Sequence, residues 1–189
     1  MLNISPFGMF HTAIALVAVF FGIRTLVKYG EIGTRTRSGA LYVWLTAATA
    51  FTGLFIFRHG GFGVPHALSI LTLVVLAVAA AAERHGGNGF ARYVTVLGNS
   101  LTLFFHLIPG LTETGTRVPI GDPAFTGPED PVLKAIVGAG FLVYLAGASV
   151  QACRIRRAYR MTAPAWAAVT VSPGVARCDA WRALPSIER

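Results

Sequence analysis

Apolar stretches of about 20 residues recur along this chain, the length an α-helix needs to cross the ~30 Å hydrocarbon core of a bilayer. Four or five stretches meet it. The first runs from about Phe7 to Val27, with Arg24 near enough its end to snorkel to the interface. The second runs from about Gly39 to Phe57 and opens on Tyr42 and Trp44, read as interfacial anchors. The third follows Pro65, a residue suited to a first helical turn, and continues to about Ala82. The fourth, the least apolar, runs from about Tyr93 to Ile108 and is expected to stop at Pro109-Gly110. The fifth runs from about Val132 to Ala152. The expected fold is all-α: a polytopic transmembrane helical bundle of about five helices, a four-helix core with the fifth packed beside it.

Charge supports this reading. Only 13% of the 189 residues are charged, where a soluble domain carries about a quarter. Mean hydropathy is +0.61. The residues divide into a transmembrane domain over 1–160 and a tail over 161–189, whose Pro, Ala and Arg mixture predicts poor order. Trp166 and Trp181 could let that tail touch the interface. No Lys or Arg precedes the first apolar run and no small-residue cleavage site follows it, so it reads as a retained helix rather than a signal peptide. Cys153 and Cys178 lack disulfide-framework or metal spacing.

The formal charge of +8 finds its explanation in topology. With five spans, one face receives Arg24, Lys28, Arg35, Arg37, Arg84, Arg92, Arg154, Arg156, Arg157 and Arg160, against Glu31 and Glu83. The other face has Arg58, Arg117 and Lys134, against Glu113, Asp122, Glu129 and Asp130. Basic residues mark the cytoplasmic side, so the N-terminus is expected outside and the tail inside. Membrane lipids are then the expected partners of the basic face, and no nucleic acid is required.

The same topology gathers histidines. His11 opens the first span, His59 lies in the turn after the second, His66 opens the third, and His106 lies near the outer end of the fourth. All four fall on the extracytoplasmic face, and only His85 falls on the other. Ionisable residues inside a membrane are costly and are functional candidates by default. On the fourth span, Thr95, Asn99, Thr102 and His106 recur at three- and four-residue steps as one polar stripe, which should face the bundle interior. Ser69 sits one turn from His66 and could orient it. Ala15, Ala18 and Gly22 form a small-residue seam near the His11 face, along which another helix can approach.

Convergence of His11, His66 and His106 would suit three chemistries. Three imidazoles with an open position resemble a catalytic metal site, with a divalent transition metal as cofactor. His66 and His106, at equal depth on different helices, could hold a haem b. The histidines with Asn99 could instead serve proton or quinone chemistry. Against these stands a structural role, in which interfacial histidines bond water or carbonyls and Asn and Thr tie helices together. His59 beside Arg58, and His85 beside Arg84, fit solvated turns. The acids of the loop after the fourth span could recruit cations but fit a solvated loop better. No Walker loop, nucleophile elbow, HExxH or CxxC is present, so whether the chain is an enzyme stays open.

A histidine at the start of helix 1, a basic stretch leading into Gly39-Ala-Leu-Tyr-Val, Pro65-His-Ala-Leu-Ser-Ile-Leu-Thr-Leu at helix 3, and an Arg/Gly-rich turn before the fourth span together form a pattern. It resembles a bacterial family of predicted multi-helix integral membrane proteins carried as a domain of unknown function. The likeness covers roughly Phe10 to Pro109, and its motifs are short and mostly apolar. Such families often place a His at the basic turn before helix 2, where Thr36 or a neighbour stands here. The resemblance therefore implies a multi-pass topology in a bacterial inner membrane and leaves the outer histidines as the candidate site. Two functional readings follow: a haem- or metal-binding protein with a membrane redox partner, or a non-enzymatic transporter subunit or interaction partner, including self-association, with structural histidines.

Overall fold

The computed structural model describes residues 6–56, 61–86 and 89–162. Arg58, His59 and residues 163–189, including Cys178, Trp166 and Trp181, lie outside the described residues. The described chain is all-helical: α1 (Pro6–Tyr29), α2 (Arg37–Gly53), α3 (Val64–Arg84), α4 (Gly89–Gly115) and α5 (Pro131–Thr162). Four of these, α1, α3, α4 and α5, are long and apolar enough to cross a membrane, and the protein is a membrane protein.

The helix α2 has 17 residues, about 25 Å at ~1.5 Å per residue, a little short of the ~30 Å core. It nonetheless runs the length of the bundle. Its far end meets the start of α1 and the start of α3, since His11 bonds Thr52 and Gly53 lies against Ser69. Its near end follows a loop tied to the end of α3 and the start of α4, through Glu83 and Arg92. The helices therefore alternate in direction. Neighbours in sequence pack as neighbours in space, and α5 lies against α4. The expected end of α2 at Phe57 moves back to Gly53 because Leu54, Phe55 and Ile56 donate to carbonyls three residues earlier, tightening the last turn.

Two other helices outrun their expected bounds. α4 continues through Pro109 to Gly115. Proline removes the donor that would serve the Phe105 carbonyl, yet the helix carries past it, and in the turns beyond Thr112 and Thr116 hydroxyls donate to the carbonyls of Ile108 and Thr112. α5 extends to Thr162, since its Ala-, Gln- and Arg-rich second half keeps good helix formers after the apolar run ends.

The surface is apolar and the interior polar. Phe20, Val27, Trp44, Val74, Leu142 and Val143 are exposed, while Thr25, Thr46, Thr72, Thr95, Asn99 and Thr102 are buried. Lipid solvates the first set, and the second must find partners within the protein. Trp44, 72% exposed, faces outward as an anchor should. Tyr42 does not. It is fully buried against Ala18 and Ile32, so the expectation of a second interfacial anchor is corrected: its face of α2 meets the small-residue seam of α1. Ile32 belongs to the loop between α1 and α2, yet it too is fully buried. It stops the end of the bundle.

Candidate functional site

An interior seam of hydroxyls joins the histidine end of the bundle to that buried loop. Three elements build it. Helix α2 contributes Tyr42, Thr46, Thr49 and Thr52, which follow steps of four, three and three residues and so wind slowly around one side. Helix α4 contributes the stripe Thr95, Asn99, Thr102 and His106. Helix α1 contributes His11.

Donors and acceptors along the seam can be assigned from the backbone upward. Thr102 Oγ1 donates to the Asn99 carbonyl at 2.8 Å, so it receives the Tyr42 hydroxyl, 2.7 Å away. That hydroxyl also lies 3.2 Å from the Asn99 carbonyl. Thr46, one turn along α2 from Tyr42, borders the same phenol. His106 Nε2 lies 3.1 Å from Thr46 Oγ1. Two hydrogen-bonded pieces result, His106 Nε2–H to Thr46, and Tyr42 to Thr102 to the Asn99 carbonyl, and they meet where Thr46 borders the phenol. At the far end the Asn99 side-chain amide donates to the carbonyl of Ile32 at 3.1 Å. A buried amide and carbonyl thus satisfy each other across 67 residues of sequence.

His11 meets α2 on its own terms. The Thr52 hydroxyl donates to the Ala48 and Thr49 carbonyls, so it accepts from His11 Nδ1–H, 2.9 Å away. The lone pair of His11 is then on Nε2. His106 lies close enough to interact electrostatically with His11. Around His11 the packing is tight: a methyl added at Gly53 would stand 2.6 Å from Ser69 Oγ and 3.4 Å from His11 Cε1. Ser69 thus borders His11 and Gly53, while its own hydroxyl donates to the Pro65 carbonyl.

His66 has a different task. It is the third residue of α3, and its Nδ1 accepts the Gly63 backbone N–H at 3.2 Å, as a Glu does in a capping box. Its ring stacks on Phe62. A nitrogen engaged as a cap acceptor has no lone pair to give a metal, so ligation through Nδ1 would break the start of α3. Among the described residues, no three His, Cys, Asp or Glu side chains form a group able to hold a metal ion. His85 is exposed and bonds the Ala81 carbonyl at the end of α3.

The opposite end is held by a second set. Arg92 pairs with Glu31 at 3.0 Å, Glu83 accepts the Thr34 N–H, and Gln151 donates to the Gly30 carbonyl while accepting from Ser100. Helices α3, α4 and α5 thereby grip the loop that carries Ile32. Sequence spacing points to Thr95, Asn99 and Thr102. It passes over the α2 threonines, although Thr46, Thr49 and Thr52 recur at three-residue steps and carry the same signal. Nothing in linear spacing marks Ile32 or Gln151, whose roles depend on contacts distant in sequence. In comparison with known proteins, the chain matches no family model, no curated protein and no solved structure.

Proposed function

We propose that the protein conducts protons across a bacterial cytoplasmic membrane, with its histidine end outside and its arginine-rich end in the cytoplasm. The ten basic residues named for one face against three for the other support the orientation. The resemblance to bacterial multi-helix membrane proteins supports the setting. The observation that carries the function is the interior polar file His106, Thr46, Tyr42 and Thr102, hydrogen-bonded from His106 to Thr46 and from Tyr42 to Thr102. Imidazole is suited to the entry because it can accept a proton on one nitrogen and release another from the second. A proton taken at His106 Nδ1 frees the one on Nε2 to Thr46. A rotation of the Thr46 hydroxyl hands its own proton to Tyr42, and Tyr42 passes one to Thr102. Thr102, turned from the Asn99 carbonyl, releases a proton to water admitted when the Ile32 loop opens.

Protein reconstituted into vesicles containing a pH-sensitive dye tests this under an imposed potassium diffusion potential. Tyr42→Phe removes the middle hydroxyl but keeps the ring. Wild-type vesicles should acidify or alkalinise at least about tenfold faster than Y42F or H106A vesicles, the size of a barrier raised by ~1.4 kcal/mol. Flux equal to that of empty vesicles, or undiminished in Y42F, would refute the reading.

A second reading rests on a different observation. Thr52 fixes one nitrogen of His11 and Thr46 fixes one of His106, as outer partners of metal-ligating histidines do. His11 Nε2 and His106 Nδ1 would then bind a divalent transition metal, completed by water and serving a membrane redox partner. The close packing at Gly53 favours an ion over a haem macrocycle. Elemental analysis and the visible spectrum of protein from metal- and haem-replete cells decide it: a colourless, metal-free preparation sinks this reading and leaves the proton pathway untouched.

A further inference from the structure

A cavity of about 160 Å³ opens where the loop after α1 meets α4 and α5. Its polar walls are Gly30, Glu31, Arg92, Gln151 and Arg154, and Ile155 closes its apolar side. At ~30 Å³ per water it holds about five waters, the space of a phosphate group with its oxygens. The cavity is built rather than incidental. Gln151, 6% exposed, fixes the Gly30 carbonyl, and Gly30 adopts φ +74°, a conformation that suits glycine. Any Cβ at Gly30 would collide with Arg154 Nη1, so the guanidinium of this exposed arginine lies over the loop backbone.

The charges leave a remainder. Glu31 is paired with Arg92, and Glu83 is engaged by the Thr34 amide. Among the described residues Arg154 has no carboxylate partner. Two guanidinium groups less one carboxylate give the cavity one net positive charge. Arginine presents a planar, two-pronged donor that matches phosphate oxygens. Basic pockets between membrane helices at the headgroup level take anionic lipid headgroups.

We propose that this cavity binds a singly charged phosphate ester through Arg154, with Arg92 as the second donor, most naturally the phosphodiester of an anionic phospholipid. The proposal requires only that this end of the bundle lie at a membrane surface; it does not depend on proton conduction. Native mass spectrometry of the full chain in detergent micelles tests it, with palmitoyl-oleoyl phosphatidylglycerol and phosphatidylcholine as the added lipids. Calorimetric titration with inorganic phosphate forms a second arm. Phosphatidylglycerol should be retained by wild type over phosphatidylcholine, at least roughly tenfold less by Arg154→Gln, the value of a lost charged hydrogen bond. The control Arg156→Gln, one exposed arginine outside the cavity, should change retention less than about twofold on the same scale. Binding of inorganic phosphate that depends on Arg154, without lipid retention, keeps the phosphate site and identifies its source as soluble. Arg154→Lys preserves the charge and guards against a folding defect. Because it loses the two-pronged donor, it should still bind more weakly than wild type. Equal losses in R154Q and R156Q, or binding of neither probe, would overturn the proposal.

Discussion

Substituting Gly22 by Ala adds one methyl at the point where α1 crosses Tyr42. That Cβ would stand 2.7 and 2.8 Å from two carbons of the Tyr42 ring and 3.0 Å from Leu103 Cδ1. Real carbon contacts sit near 3.5–4.0 Å, so the ring must retreat by most of an ångström. It has little freedom to do so. The residue is fully buried, and its hydroxyl is bonded to Thr102 and the Asn99 carbonyl. Overpacking of a filled site costs about 1–3 kcal/mol. Dragging the hydroxyl off its partners adds about 0.6–1.7 kcal/mol, the range for hydrogen bonds between membrane helices. The expected loss is therefore roughly 2–5 kcal/mol. Tyr42→Phe releases the tether and keeps the volume, so in that background Gly22→Ala should cost about 1 kcal/mol less. Reversible unfolding in mixed micelles with increasing denaturing detergent measures all four corners of the cycle. If G22A costs the same in both backgrounds within about 0.3 kcal/mol, the phenol tether does not hold the ring and the assignment of the seam is wrong.

Other perturbations have distinct signatures. Asn99→Leu leaves the buried Ile32 carbonyl without its donor, at about 1–3 kcal/mol; trypsin cleavage at Arg35 and Arg37 should then speed up. No change in cleavage would mean the loop is held by its other ties alone. Gly53→Ala forces the Ser69 hydroxyl from its place, and Ser69→Ala should relieve the clash, leaving only ordinary contacts at 3.4 and 3.7 Å. Unfolding of the double variant nearer to wild type than to G53A is the expected result. In the loop before α5, Asp130 accepts the amides of Thr126 and Val132. These bonds hold its carboxyl below the ordinary aspartate value of 3.8, the Thr126 amide contributing most. A depressed folded pKa gives stabilisation that is present above the unfolded value and is lost as pH falls through the folded one. The Val132 amide resonance should therefore titrate with a midpoint below 3.8, and a midpoint at or above it contradicts these bonds.

The spans are legible in the sequence because lipid imposes a uniform demand on every outward residue, and hydropathy records it directly. The interior stripe on α4 is legible for the same reason in reverse, since Thr95, Asn99 and Thr102 repeat at the helical period. Tyr42 reads as an anchor because its position at the head of an apolar run is ambiguous; only the gap left by Gly22 on another helix draws it inward. Pro109 reads as a stop because its missing donor is a local signal, whereas the tolerance of a membrane helix for proline leaves no mark in the neighbouring residues. His66 follows Gly63-Val-Pro, a helix start, and that local context supports a cap as readily as a ligand. The loop residue Ile32 has no periodicity to reveal it. Its burial depends on Asn99, Gln151, Glu83 and Arg92, none of which is near it in sequence.

That buried isoleucine bears on how fast such a pathway can turn over. A file of hydroxyls can reorient rapidly, but one that ends beneath an apolar stopper releases nothing until the stopper lifts. On the conduction reading, the slow event is the loop's excursion and not the transfer between side chains. Lifting it means parting an amide–carbonyl pair, a glutamine bridge, a carboxylate–amide bond and an ion pair, contributed by α3, α4 and α5. The throughput of the molecule is then set at the end opposite its histidines. A membrane with such a stopper in series leaks slowly even under full driving force.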